Sequence, residues 1–464
     1  MADPTRPNIL LITTDQQRFD TLGCCGSQGA TTPHIDALAR RGTLFRSAYA
    51  QNPVCIPSRA CIQTGRYTHQ HGVTYMETVI DTTPGLPPWE KTFMERLQGA
   101  GYRTAAFGKI HMMPERGFHD MQITGGKGAR WTQSAGLPIG PGPLGPQYAH
   151  WLEERHPGAY ELIYQQRRQP EYKQSKTAIA NVLPLEEYVD YWIAQNTIDY
   201  LRHPPSEPFF IQCGFCGPHG PIDPPRPYDT LYRPDEIEFP PNYRVDMHGE
   251  PRETTAEQDA LFRRWIAFYW GLVTLIDDQV GRIMEAMAAC GLLENTLVIY
   301  TPDHGEMMGE RGRLGKGNFF EPVTHMPLVV APPGGQPLPP AVDGLVETMD
   351  IAPTILDYAG LPIPEQMAAA SLRPLLEGRG EGKEAVLCEY TTNDRSRSGK
   401  CVRTQRHKYA FWGRGEPEQF FDLQADPLER RNLIGDPQCR AEIDAHRCLM
   451  LDRLMGSEQH LMTL

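Results

Sequence analysis

Cys55-Ile56-Pro57-Ser58-Arg59-Ala60-Cys61-Ile62-Gln63-Thr64-Gly65-Arg66 places a thiol, a hydroxyl and a guanidinium close together, with a glycine near its end. The preceding run, Thr43 to Ala50, has the apolar and β-branched character of a strand and delivers the chain to Cys55. Ser58 is the expected cap of a helix carrying Arg59, with first-turn backbone donors that would face an anion. This is a strand–loop–helix unit with chemistry at its junction.

Working outward, the same alternation recurs. Asn8 to Thr14 reads as a buried strand ending at Asp15-Gln16-Gln17. Its polar groups therefore fall at a strand's carboxyl end, where open α/β sheets gather ligands. Thr32 to Ala39 starts a helix that includes Asp36 and stops at Gly42. Phe93 to Leu97 predicts another helix, and Arg103 to Phe107 a strand before Gly108-Lys109-Ile110-His111. Phe209 to Phe215 returns to strand character before Gly217-Pro218-His219-Gly220.

The longest helix is predicted from Thr255 to Cys290. Thr255 and Gln258 form a capping box, and Leu261, Trp265, Phe268, Leu272, Ile276, Val280, Ile283 and Met287 make a core-facing stripe. Asn295 to Tyr300 is a strand releasing Asp303-His304-Gly305-Glu306; Met326 to Ala331 is a strand and Asp350 to Tyr358 a helix. Residues 122–148 are rich in glycine and proline, which fits a long loop over the site, with Gly136 to Gly145 a candidate specificity lid.

The alternation predicts an α/β fold over residues 1–365, a central sheet flanked by helices. Beyond that the pattern changes to Ala385-Val386-Leu387, Lys400 to Arg403, Lys408 to Trp412 and an amphipathic tail. Residues 366–464 are accordingly read as a smaller C-terminal α+β subdomain with an antiparallel sheet and a terminal helix.

With 464 residues, 40% hydrophobic, the chain can bury a large core. A formal charge of -12 disfavours nucleic acid and anionic membrane surfaces as partners, and no apolar run is long enough to span a bilayer. Met1 to Ile12 lacks the pattern of a secretory leader, and eleven cysteines fit a reducing compartment, so a cytoplasmic location is expected. Cys213-Gly214-Phe215-Cys216 lies in an apolar strand and is read as two buried thiols rather than a redox or zinc pair. Homo-oligomer formation is left open.

Asp15, Gln16, Asp303 and His304 all fall at strand ends. Oxygen ligands with one imidazole suit calcium, magnesium or manganese, although capping and turn roles explain the same residues from spacing alone. Taken in order, the motifs resemble those of sulfatases of the alkaline-phosphatase-like superfamily. The matching stretches are Asn8 to Gln16, Thr32 to Gly42, Cys55 to Arg66, Gly108 to His111, Pro218-His219, Thr301 to Glu306, Gly315 to Pro327 and Phe421 to Leu433.

The resemblance implies a mixed central sheet and hydrolysis of a small organic sulfate ester. Cys55 would be oxidised to formylglycine by a transiently bound formylglycine-generating enzyme. Asp15, Gln16, Asp303, His304 and the converted Cys55 would bind one divalent ion, calcium or manganese. The hydrated aldehyde would attack sulfur, and its second hydroxyl would then expel sulfate. Arg59 would orient the hydrate, Lys109 and Lys316 would neutralise sulfate oxygens, His111 would move the proton during elimination, and His219 with Lys316 would protonate the leaving oxygen. His69, His71 and His325 lie near matched segments, with His71 a support for the pocket and His325 a contact of substrate or Glu321.

One departure stands out: Asp15-Gln16 replaces the adjacent acids of many sulfatases and is similar to phosphonate monoester hydrolases and choline-sulfatase-like enzymes. Pro57-Ser58-Arg59 resembles the sulfatase branch. A phosphonate monoester or phosphodiester hydrolase is thus the second reading, and a catalytically silent metal-binding interaction protein the third.

Overall fold

The computed structural model describes residues 6–27, 29–74, 85–112, 115–124, 126–127, 146–334, 338–392, 394–413 and 415–458. Most of the 122–148 loop, with the whole Gly136 to Gly145 segment, lies outside the described residues.

Strand β1 (Asn8–Asp15) is buried along its whole length. Its side chains alternate, Leu10 and Ile12 entering one core and Ile9 and Leu11 another. A strand covered on both faces belongs inside a layered α/β sheet. The remaining strands are β2 (Thr43–Tyr49), β3 (Arg103–Gly108), β4 (Asp120–Ile123), β5 (Phe209–Pro218), β6 (Thr296–Pro302), β7 (His325–Ala331), β8 (Ala341–Val342) and β9 (Val346–Glu347). Their order is β4-β3-β5-β1-β6-β7-β2-β8, with β9 also on β2. β7 runs antiparallel to both β6 and β2, whereas β1 is parallel to β5 and β6, so the sheet is mixed.

Helices α1 (Pro33–Arg41), α2 (Cys55–Thr64), α3 (Phe93–Gly99), α4 (Val189–Arg202), α5 (Ala256–Ala289) and α6 (Ile351–Tyr358) cover the two faces. Ile35, Ile193 and Leu272 from α1, α4 and α5 pack with Leu10 and Ile12. Phe93 and Ile355 from α3 and α6 pack with Ile9 and Leu11. The α5 stripe enters the core as its period requires, each fully buried aliphatic contributing about 1.5–3 kcal/mol. Only its first member differs: Leu261 is half-buried and Phe262 takes the inward position. Thr255 and Gln258 exchange the expected capping bonds, each 3.2 Å.

Ser58 does not cap α2. The helix begins at Cys55, and the Ser58 amide already donates to the Val54 carbonyl at 3.1 Å, the first helical bond. The Ser58 hydroxyl turns instead to the Asp303 carbonyl. Cys213 and Cys216 are buried free thiols on β5, and burial pushes Cys213 up to about 12, as a structural role requires.

A second, antiparallel sheet follows, ordered β10 (Ala385–Thr391), β11 (Ser398–Thr404), β12 (His407–Trp412) and β13 (Gln419–Asp422). Terminal helix α7 (Arg440–Gly456) covers it, with Ile443 and Met450 against Leu387, Val402 and Phe420. Among the described residues, no helix is long and apolar enough to cross a membrane.

Candidate active site

Sheet register assembles the site. Thr14 pairs with Pro302, so the end of β1 delivers Asp15 beside Asp303 and His304. Asp15 also pairs with Pro218, and Gly108 with Gly214, bringing His219 and Lys109 to the same edge. The chain reverses sharply there: Gln16 and His111 sit at φ 63 and φ 51, the left-handed region that side chains usually avoid. Helix α2 then points its first residue, Cys55, at the strand ends.

Ligand atoms of Asp15, Cys55, Asp303 and His304 lie within 4.8 Å of one another, and all four residues are buried. Cys55 Sγ is 3.1 Å from His304 Nε2, 3.7 Å from Asp15 Oδ1 and 2.8 Å from Lys316 Nζ. His304 Nδ1 faces the Gly305 carbonyl at 2.9 Å, which assigns its proton to that nitrogen and turns the Nε2 lone pair inward. Arg59 donates to Asp303 Oδ2 at 2.8 Å, reaches Asp15 Oδ2 at 3.5 Å and bonds the Lys109 carbonyl at 3.2 Å. Lys109 Nζ pairs with Asp15 Oδ2.

The charges act on one another. Burial and the Cys55 sulfur push the Asp15 carboxyl up, but Lys109, His219 and Lys316 together hold it well below the usual carboxylate range. Burial likewise raises the Cys55 thiol; Lys316, His304, Lys109 and a hydrogen bond from His111 outweigh it and pull the thiol well down. Burial lowers Lys109, yet Asp15 and Cys55 more than restore its charge.

The donor set fits a divalent ion. Gln16 Nε2 is tied to Glu306 Oε2, while Gln16 Oε1 is buried with no hydrogen-bond partner among the described residues. An orphaned carbonyl oxygen beside two carboxylates and an imidazole lone pair is what a hard cation needs. A second group, His34, Asp277 and Asp278, also clusters, but the Asp277 oxygens accept the His34 and Ile35 amides at 3.1 and 2.7 Å and serve as a helix start.

The structure thus gathers Asp15, Gln16, Cys55, Arg59, Lys109, His111, Asp303, His304 and Lys316. His219 stands at the rim, with Nδ1 on the Gly220 carbonyl at 2.7 Å, near enough to Asp15 to affect its charge. The other histidines have structural partners. His325 lies stacked between Phe19 and Tyr49 and faces Glu321 at 3.7 Å; His69 bridges Glu389 and Ser457. His71 packs behind α2 on Cys61, and burial lowers it to about 3, leaving a neutral acceptor for the Val73 amide. Asp36 receives the Cys24 amide at 2.7 Å.

Sequence reasoning missed Glu306 as the residue that aims Gln16. Its other oxygen receives the Met308 and Gly315 amides, so it also anchors the loop that brings Lys316. Its place in Asp303-His304-Gly305-Glu306 was the available signal, but no local rule says which partner it takes.

A family profile described as Sulfatase matches residues 7–361, and one described as N-sulphoglucosamine sulphohydrolase, C-terminal, matches residues 309–454. The chain is 30% identical to an arylsulfatase of Clostridium perfringens across 98% of this chain and 95% of that protein. It is 27% identical to a Delta 4,5-hexuronate-2-O-sulfatase of Bacteroides thetaiotaomicron, across 99% and 91%. Its fold is similar to that of a phosphonate monoester hydrolase of Agrobacterium radiobacter, with a TM-score of 0.79 at 24% identity over 98% and 96% of the chains.

Proposed function

The chain belongs to the sulfatase family, and from that premise we propose that it hydrolyses a small organic sulfate ester with Cys55, oxidised to formylglycine, as its nucleophile. The observation that carries this reading is the convergence of Asp15, Asp303 and His304 on the Cys55 side chain inside a buried, positively flanked site. Cys55 is fully buried, so a formylglycine-generating enzyme must reach it before the fold closes.

A divalent ion held by Asp15, Gln16, Asp303, His304 and the converted Cys55 would lower the pKa of the attacking hydroxyl and screen the sulfate charge. The neutral Gln16 reduces the negative charge of the ligand set and keeps manganese beside calcium as the ion. Arg59, braced by Asp303 and Asp15, orients the residue at position 55. Lys109 and Lys316 approach from two directions and neutralise oxygens of the transferred group. His111, bonded to the Cys55 side chain, takes the proton released as sulfate departs. His219, at the rim with Lys316, supplies a proton to the leaving alcohol or phenol. Eleven free cysteines support a reducing, cytoplasmic setting for this enzyme.

Gln16 favours one second reading, hydrolysis of a phosphonate monoester or phosphodiester by the same nucleophile. The deciding measurement is kcat/KM for an aryl sulfate and a phenylphosphonate monoester, on protein whose Cys55 peptide mass and metal content have been established. Preference for sulfate is expected. Preference for phosphonate would replace the first reading with the second, and turnover of neither by converted, metal-loaded protein would leave a silent metal-binding protein.

A further inference from the structure

The turn that carries His219 is held from two sides. Asp190, in the first turn of α4, accepts the Cys216 amide at 2.7 Å and the Gly217 amide at 3.3 Å. From the other side, Lys127 donates to the Pro221 carbonyl at 3.1 Å, just past His219. The same ammonium donates to the Tyr188 hydroxyl at 2.9 Å and to Asp223 Oδ1 at 3.4 Å. Tyr188 donates to that carboxylate oxygen at 3.1 Å, and Asn181 donates to the other at 2.9 Å. Arg167 bonds the Lys127 carbonyl at 2.8 Å, so the backbone beneath the ammonium is fixed as well.

Lys127 and Asp223 are both buried. Desolvating such a pair costs about as much as its attraction returns, so stability alone does not account for it. An ammonium has three protons, and Tyr188, Pro221 and Asp223 take all of them. The cavity beside them measures about 20 Å³, room for a water and not for a group of the substrate. Lys127 therefore acts through its protein partners. Its neighbour Gly126 packs against Lys109, where a Cβ would stand 3.5 Å from Lys109 Nζ. Gly126-Lys127 thus runs from a cation that faces the transferred group to the turn that bears His219. On that turn, His219 Nδ1 faces the Gly220 carbonyl at 2.7 Å, which assigns a proton to Nδ1 and leaves Nε2 to serve the leaving oxygen. The next carbonyl along, that of Pro221, is the one Lys127 holds.

We propose that Lys127 is a positioning residue for protonation of the leaving group. By holding the Pro221 carbonyl and Asp223 it fixes the His219 turn, and with it the direction of Nε2. The proposal rests on the sulfate-ester reading above, with His219 as the proton donor. Asp190 fixes the entry to the turn and Lys127 its exit, so loss of Lys127 frees the side that follows His219. A displacement of about 1 Å at a reacting group is enough to cost about 10²-fold in rate.

Two readouts test it on the converted, metal-loaded enzyme. 4-Nitrophenyl sulfate releases a stable phenolate that needs little help from an acid, whereas phenyl sulfate releases a more basic one. Lys127→Met should lower kcat/KM for phenyl sulfate by about 10–100-fold and leave 4-nitrophenyl sulfate within about 3-fold, the pattern expected of His219→Ala at larger amplitude. Added to His219→Ala, it should cost less than about 2-fold more, because residues that act as a unit are not additive. Should Lys127→Met fail to fold, Lys127→Gln keeps a donor and should show the same selectivity at smaller size. The second readout needs no turnover. With a diamagnetic ion bound, the ¹⁵N signal of His219 Nδ1, assigned by its loss in His219→Ala, should shift in Lys127→Met and its proton should exchange faster. Equal loss on both sulfates, or additivity with His219→Ala, would overturn the assignment, as would an unmoved His219 signal. If the wild type turns over neither sulfate, the sulfate-ester reading fails and the His219 signal alone decides the positioning.

Discussion

Two buried clusters of charge sit on either side of the segment from Asp303 to Glu321. At the Cys55 centre, Asp15, Asp303 and His304 aim ligand atoms at one another, and the Gln16 oxygen has no donor among the described residues. Under the C-terminal sheet, Lys408 lies between Glu321 and Glu429, bonds the Phe319 carbonyl at 2.9 Å, and Tyr49 donates to Glu321 at 2.7 Å. Both clusters carry the desolvation cost of buried ions. The second answers it by pairing nearly every group locally, whereas the first keeps lone pairs converging on a shared point. Burial of charge does not distinguish function from architecture; the direction of the lone pairs does.

The sharpest way to break this contrast is Asp303→Asn. It should remove the bound ion and lower kcat by about 10³-fold, read by metal analysis and aryl sulfate turnover. Full metal content with intact turnover would remove Asp303 from the ligand set. Lys316→Ala should cost about 10²–10³ in kcat with the melting temperature nearly unchanged, because its partner groups remain paired with others. A large drop in melting temperature would instead make Lys316 architectural.

Lys408→Met tests the other side. It strands two carboxylates and should destabilise the protein by about 3–5 kcal/mol, measured by denaturant unfolding at neutral pH. Against burial, Lys408 holds Glu321 down to about 2 from an ordinary value of 4.5. A depressed carboxyl gives stability that is present above 4.5 and lost as pH falls toward 2. The gap between wild type and Lys408→Met should therefore narrow across that acid window; a constant gap would show that Lys408 stabilises by packing alone.

The smallest expected effect is Glu306→Gln. The new amide cannot accept at both ends, so Gln16 loses its fixed orientation, and metal affinity should fall about 10–100-fold with little loss of stability. Unchanged affinity in a metal-buffer titration would remove Gln16 from the ligand set.

Much of this site was legible before folding because its members sit at element ends that periodicity locates. The aliphatic run into Asp15 and that into Asp303 each identify a strand and its carboxyl end. The α5 stripe follows from the helical period, with only its first turn shifted by one residue. Ser58 was misread because Pro57-Ser58-Arg59 carries a cap signal, while the preceding turn already satisfies the Ser58 amide. His325 faces Glu321 four positions back, one of the two contacts its spacing offered, and His71 supports α2 through Cys61, whereas His69 is engaged by Glu389 and Ser457, which no local pattern connects to it.

Sequence by itself determined most of the long elements, which depend on neighbours within a few residues, while the ligand set and the Cys55 nucleophile followed from the ordered resemblance to sulfatases. Tertiary structure decided how those groups are aimed. Glu306 orients Gln16 across 290 positions, and Arg397 and Lys408 hold the Gly317 and Phe319 carbonyls across 80 and 89. Hydrogen-bond direction depends on which distant strands lie side by side, and register in the folded sheets supplies that information.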